Sequence, residues 1–264
     1  MKDTHVHTSL SHDGKSTAKE YLTAAPGLGV DEIIFTEHFD YYDGVETKII
    51  TLDVEEYRRT YEALRPQGGL KIGYGIELGL RPEYREKLIA MTDTHDFDFI
   101  IGSSHLTAGR DIAYDPVFFE GKTRHEAYMV YFNEMLENVR IFDDFDVYGH
   151  MDYVVRYGGY DEKTIDYREF GDVLDEILAT LVKKGKGLEI NTAGYRYGLP
   201  FAHPNISILR RFRELGGEII TIGSDAHHIS QLASHFDRAY EMARTAGFTY
   251  YAIFRGRRPE FYKI

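Results

Sequence analysis

Short apolar runs alternate with longer amphipathic stretches from one end of the chain to the other. The apolar runs predict strands over residues 4–7, 32–36, 70–78, 98–102, 145–149, 187–191 and 218–223. Several are too uniformly apolar for a sheet with one wet face and fit a parallel sheet buried beneath helices. Between them, Thr17 with Glu20, Asp53 with Glu56 and Thr123 with Glu126 have capping-box spacing, in which two side chains satisfy the free backbone N–H groups of a helix start. Further helices are predicted over 82–94, 166–185, 204–215 and 230–246, with Gly185, Gly216 and Gly247 where three of them stop. This succession of β-α units argues for a barrel or a wound sheet.

No Gly/Ser-rich or single-charge tract interrupts the pattern, so residues 1–264 are expected to form one domain. The longest connection without periodicity is 108–122. Its Phe118-Phe119 pair suits either a lid over a substrate or a loop pinned to the core by two rings.

Composition narrows the chemistry. The 43 Asp+Glu against 31 Lys+Arg leave a net charge of −12, which disfavours a nucleic-acid partner that needs clustered basic side chains. A small phosphorylated substrate remains compatible, because bound cations would neutralise its charge. The apolar runs are too short to span a bilayer, and Met1-Lys2-Asp3-Thr4-His5 lacks an apolar signal core. No membrane partner and a cytoplasmic address are therefore expected, while oligomeric state is not legible. The absence of Cys excludes disulfides, thiolate nucleophiles and Cys-based zinc sites, leaving 12 His and the carboxylates as the strong metal ligands.

Those ligands are not scattered. His5 and His7 are two apart on a predicted strand and point to one face, and His12 follows in a turn closed by Asp13-Gly14. Taken alone, the pair fits a metal site or a core pair. Later strands end in His38 and Asp40, Glu77, His105, His150 and Asp152, Glu189 and Asn191, and Asp225 with His227 and His228. Every predicted strand thus delivers a His, Asp, Glu or Asn to one edge, the edge where parallel α/β folds bind ligands. So many buried imidazoles and carboxylates would repel or stay unsatisfied without cations between them, so the set points to a polynuclear metal site.

The runs HVHTSLSHDG, TEHFD, GIELG, SSH, YGHMD, EINTAG and GSDAHH resemble the motifs of the polymerase and histidinol phosphatase (PHP) superfamily. Within it they are most similar to the stand-alone phosphatases of histidine biosynthesis, and the likeness extends from Asp3 to the terminal segment at 254–259. The resemblance implies a distorted (β/α)7 TIM-like barrel holding three divalent ions, zinc, iron or manganese, at its C-terminal mouth. It would place the first ion on His5, His7, Glu77 and Asp225, the second on Glu77, His105 and His150, and the third on His12, His38 and His227. The implied reaction is metal-dependent hydrolysis of a phosphomonoester, with L-histidinol phosphate as the expected substrate. A tyrosine phosphatase or a nucleotide or nucleic-acid phosphoesterase using the same trinuclear site is the alternative.

Metal ions would lower the pKa of an attacking water and offset phosphoryl charge. Asp225, His38 and a metal-bound water are candidates for the leaving-group proton, a metal ligand being an awkward acid. Arg156 and Arg196, in loops after the fifth and sixth strands, resemble the family's phosphate-binding arginines; the other reading is a solvated loop arginine. Tyr157, Tyr195 and Asn191 could line the substrate pocket. His95, His125, His203 and His235 read as surface or capping residues, and His228 as a neighbour of a ligand with a supporting or substrate role.

Overall fold

Seven short parallel strands curl into a nearly closed barrel, with helices packed between them on the outside. The computed structural model describes residues 1–41, 52–66 and 68–264. In chain order the elements are β1 (Lys2–Val6), α1 (Ala18–Ala24), β2 (Glu32–Phe39), α2 (Val54–Glu62), β3 (Lys71–Gly79), α3 (Arg85–Asp93) and β4 (Phe99–Ser103). A small hairpin of β5 (Leu106–Thr107) and β6 (Arg110–Asp111) precedes α4 (Arg124–Ile141), β7 (Val147–Tyr148), α5 (Tyr167–Lys183), β8 (Gly187–Asn191) and α6 (Ala193–Arg196). Then come α7 (Ile206–Glu214), β9 (Ile220–Gly223), α8 (Phe236–Thr245) and a terminal hairpin of β10 (Tyr250–Arg255) and β11 (Arg258–Lys263).

The barrel strands run β1-β2-β3-β4-β7-β8-β9 and pair in parallel. The two ends meet just past the strands, where His7 N–H donates to the Ala226 carbonyl at 2.8 Å and Ala226 N–H to the His5 carbonyl at 3.3 Å. As the apolar runs require, β4, β8 and β9 are buried along their whole length. Outside them, α5 buries Phe170, Val173, Leu174, Ile177, Leu178 and Leu181, which recur at helical spacing and form one face. Each such side chain contributes about 1.5–3 kcal/mol by leaving water.

Thr17–Glu20 and Thr123–Glu126 form complete capping boxes, whereas Asp53 caps α2 from one side only, accepting from Glu56 N–H at 2.9 Å. The fifth strand is shorter than its apolar run, covering only Val147–Tyr148, and the Asp146 side chain beside it accepts from Ile100 N–H at 2.8 Å. The helix expected from residue 230 begins only at Phe236. A single 3-10 turn at Ile229–Gln231 intervenes, followed by a bend that points Ala233 N–H at Asp3, 2.8 Å away. Phe118 and Phe119 are buried, so the connection they belong to is pinned to the core and is not a free lid.

The terminal hairpin has no counterpart among the predicted strands. It packs Phe254 on Phe99, ring centroids 5.1 Å apart, and closes the end of the barrel where strands begin. There Arg255 pairs with Glu32, and Arg257 with Asp144 and Asp146. Both chain ends of the strands are thereby committed: this one to stability, the opposite one to the site. Among the described residues, no helix is long and apolar enough to cross a membrane.

Candidate metal centre

The strand register brings the candidate ligands together. His38 on β2 and Glu77 on β3 are direct cross-strand partners, and both face the barrel mouth. His5 is the last but one residue of β1, with His7 just beyond the strand; His105, His150 and Asp225 each lie two residues past a strand. Asp225 has φ +54°, a left-handed conformation that is uncommon for a residue with a β-carbon, and the bend sends its carboxylate back over the barrel.

Glu77 sits at the centre, fully buried. Its Oε2 lies 3.3 Å from His5 Nε2, 3.4 Å from His7 Nε2 and 2.8 Å from His38 Nδ1. Its Oε1 faces a different pair, His150 Nε2 at 2.8 Å and His105 Nε2 at 3.2 Å. Asp225 Oδ1 closes the first group, 3.5 Å from His7 Nε2 and 3.8 Å from His5 Nε2. A third group lies beside it, where His227 Nε2 is 3.3 Å from His38 Nε2 and 3.1 Å from Asp13 Oδ2.

The donor set fits metal ions for a specific reason. Glu189 takes His5 Nδ1 at 2.5 Å, Asp40 takes His105 Nδ1 at 3.0 Å, and the Asp225 carbonyl takes His227 Nδ1 at 3.0 Å. Each outer partner fixes the proton on Nδ1 and leaves a lone pair on Nε2, aimed at the carboxylates of Glu77, Asp225 or Asp13. Acceptors then face acceptors, and His5 Nε2 meets His7 Nε2 at 2.9 Å. Glu77 Oε2 and Asp13 Oδ1 are buried without a hydrogen bond. Only protons or cations reconcile such a set.

The electrostatics of the metal-free chain show the same need. Burial opposes charge on His5 and His105, yet Glu189, Glu77 and Asp225 around the first, and Asp40 and Glu77 around the second, hold both well above the usual imidazole range. Burial and the neighbouring His38 and His227 push His7 well below that range. Despite their burial, Glu77 and Asp225 are held well below the usual carboxylate range by the imidazoles around them, His5 foremost.

One expected ligand stands apart. His12 is exposed, its ring centroid 5.6 Å from that of His38, and it makes none of the close approaches above. The turn that carries it presents Asp13 to His38 and His227 instead. Gly14 permits this turn, since a β-carbon there would lie 1.8 Å from the Thr8 carbonyl oxygen. The neighbouring Asp-Gly pair was legible as a turn, but which residue pointed inward was not.

A cavity of about 540 Å³ opens above these groups, lined by His38, Asp225, Arg156, Arg196, Tyr114 and Tyr153 among others. Arg156 is almost wholly buried, its guanidinium carbon 4.7 Å and 4.4 Å from the ring centres of Tyr153 and Tyr197. Its Nη2 has no hydrogen-bond partner and lies 3.6 Å from Asp225 Oδ2. Neither arginine is a solvated loop residue. Arg196 spends N–H groups on the Ser224 and Asp225 carbonyls, at 2.6 and 2.7 Å, and so braces the bend that carries Asp225.

Of the pocket candidates, Tyr157 lines the cavity, whereas Tyr195 packs beneath Arg238 at 3.7 Å and Asn191 is buried against Glu189 and Ala193 N–H. His228 is exposed at the rim and bonds Ser230. His125 is exposed beside Glu169, His95 is partly buried against Phe97, and His235 sits at the start of α8, not within it. His203 corrects the surface reading: it is fully buried between Asp152 and Arg156. A residue before Pro carries no sign of burial in sequence, and Asp152, two residues past His150, was the only available hint.

A family model described as the PHP domain matches residues 3–193, and the chain belongs to that family. Its relatives are narrower in kind. It is 33% identical over 242 residues to a probable histidinol-phosphatase of Clostridium acetobutylicum, covering 91% of this chain and 92% of the relative. It is also 33% identical over 258 residues to the histidinol-phosphatase of Lactococcus lactis, covering 96% and 94%. The crystal structure of histidinol phosphate phosphatase from Lactococcus lactis, complexed with zinc, L-histidinol and phosphate, matches with a TM-score of 0.88 at 32% identity, covering 98% of each chain.

Proposed function

We propose that this chain is a metal-dependent phosphomonoesterase that hydrolyses L-histidinol phosphate to L-histidinol and phosphate, acting as one domain over residues 1–264 in the cytoplasm. The observation that carries the reading is the placement of Glu77, whose two oxygens face two different groups of imidazole nitrogens. The relatives named above supply the substrate.

His5, His7, Glu77 and Asp225 would hold one ion, Glu77, His105 and His150 a second, and His38, His227 and Asp13, in place of His12, a third. Zinc, iron and manganese all accept such nitrogen and oxygen ligands. Bound there, divalent ions lower the pKa of water and neutralise charge on phosphoryl oxygens.

The chain's own residues do the rest. Arg156, whose Nη2 makes no hydrogen bond and whose guanidinium lies against the Tyr153 and Tyr197 rings, binds phosphoryl oxygens. Arg196 reaches the same cavity but acts chiefly on Asp225, through the carbonyls it braces. Asp225 Oδ2, 3.6 Å from Arg156 Nη2, takes the proton of the attacking water and returns it to the leaving alkoxide. A cavity of about 540 Å³ suits a small ester, and the net charge of −12 disfavours a nucleic acid.

Steady-state kinetics on histidinol phosphate, a tyrosine-phosphate peptide and single-stranded DNA, with matched zinc loading, test the assignment. Histidinol phosphate is expected to have the highest kcat/KM; preference for either other substrate overturns it.

A further inference from the structure

Behind Arg156, on the side away from the cavity, lies a second buried arrangement that metal binding does not require. His203 and Asp152 are both inaccessible to solvent. His203 Nδ1 makes a short contact with Asp152 Oδ1, while Asp152 Oδ2 accepts from Asn205 N–H at 2.8 Å. On its other edge, His203 Nε2 lies 2.9 Å from Arg156 Nε.

An arginine Nε is always a donor, so His203 Nε2 must accept and its proton must sit on Nδ1, facing Asp152. The direction of every bond in the row is thereby fixed: Asp152 accepts from His203, and His203 accepts from Arg156. The guanidinium has its Nε side tied and lies against the rings of Tyr153 and Tyr197. The Nη groups are what remain to meet a ligand. Burial, the first influence on His203, lowers its pKa and keeps it neutral, as an acceptor must be.

We propose that Asp152 and His203 are positioning residues that orient Arg156 toward the phosphoryl group, with Asp152 selecting the His203 tautomer that Arg156 requires. The proposal rests on the phosphatase reading for its ligand, inorganic phosphate or a phosphomonoester. The geometry of the row itself does not depend on that reading.

Paired substitutions separate positioning from packing. In His203→Gln the side-chain oxygen falls near the position of Nε2 and keeps an acceptor for Arg156. In His203→Asn the polar atoms fall near Nδ1, and that acceptor is lost. With zinc content matched, His203→Asn is expected to weaken inhibition by inorganic phosphate and lower kcat/KM by about 10–100-fold, and His203→Gln to restore most of the loss. Asp152→Asn, which no longer enforces the Nδ1 proton, is expected to resemble His203→Asn.

Two readouts do not depend on turnover. The Arg156 Nε–H proton resonance of isotope-labelled, metal-loaded protein should lie downfield in the unsubstituted protein and in His203→Gln, and shift upfield in His203→Asn. Calorimetric titration with inorganic phosphate should show the same order of affinity. In an Arg156→Ala background, His203→Asn should cost nothing further. Equal losses in the Gln and Asn variants, an unshifted Arg156 resonance, or an undiminished effect without Arg156 each overturn the proposal. A folded protein that binds phosphate in this order yet ignores histidinol phosphate would sink the substrate assignment and leave the positioning role standing.

Discussion

Glu189 Oε1 lies 2.5 Å from His5 Nδ1, and both side chains are fully buried at the barrel mouth. The other oxygen of Glu189 accepts from His150 N–H and from the Asn191 amide, both at 3.0 Å. One carboxylate that faces no predicted ion thus orients a candidate ligand of the first metal and the backbone of a candidate ligand of the second. Glu189→Gln is expected to weaken zinc affinity by about 10–100-fold while leaving the fold intact. Competition with a chromogenic chelator measures it, and an unchanged affinity would remove Glu189 from the metal-supporting role.

Substituting the two neighbours in the first loop one at a time distinguishes His12, the ligand expected from sequence, from Asp13, which stands 3.1 Å from His227 Nε2. Asp13→Ala is expected to lose metal from the third group and about 100-fold in kcat/KM, since a metal's charge stabilisation is worth several kcal/mol. His12→Ala should retain its metals. Metal content by elemental analysis decides the matter, and the opposite outcome would return His12 to the ligand set.

The two arginines are expected to fail differently. Arg156→Ala should keep its metals and lose phosphate affinity, because Arg156 lines the cavity and its Nη2 makes no hydrogen bond. Arg196→Ala releases the carbonyls of Ser224 and Asp225 and should lower metal occupancy as well. Parallel measurement of zinc content and of inhibition by inorganic phosphate checks both; identical behaviour of the two variants contradicts the division of labour.

Proton uptake and metal loading should oppose each other. Burial disfavours charge on His38, but Glu77 and Asp13 outweigh it and raise its pKa from 6.5 to about 9 in the metal-free chain, and His5 and His105 move in the same direction. These imidazoles must be neutral to bind a metal, so zinc binding at pH 7 is expected to release protons and to tighten as pH rises. Titration calorimetry in two buffers of different ionisation enthalpy reads the protons. In the chelated protein, His38 contributes stability that is fully present below pH 6.5 and is lost as pH rises through about 9. The Tm of that form should therefore fall across this window, and a flat or rising Tm would contradict the assignment.

Asp3 offers a test of how the mouth is built. Its buried carboxylate accepts from Ser224 N–H at 2.9 Å, Ala233 N–H at 2.8 Å and the Ser224 hydroxyl, and so joins β1 to the bend after β9 that carries Asp225. Asp3→Ala leaves those donors buried and unmatched, and should destabilise the fold by about 3–5 kcal/mol. Denaturant unfolding of metal-free protein measures this apart from any loss of zinc.

The seven strands and the edge to which their polar ends point were written in the order of residues. Strand periodicity is a local property, and one rule, a ligand-type residue at the end of each apolar run, recurs on every strand. Thus His5, His7, His38, Glu77, His105, His150, Asp225 and His227 were all legible, and they converge. What was not legible depended on chain far away or on the angle of a turn. His12 and Asp13 are adjacent, and only the closure of the loop over Thr8 decides which of them meets His227. Whether Arg196 binds phosphate or braces Asp225 depends on carbonyls 28 and 29 residues further on. The role of His203 depends on Asp152 and Arg156, 51 and 47 residues earlier. The sequence by itself determined which side chains could hold metal and on which rim they stand. Tertiary structure decided which nitrogen carries each proton and which arginine is left with a free edge, because both follow from hydrogen bonds between residues that only the closed barrel brings into contact.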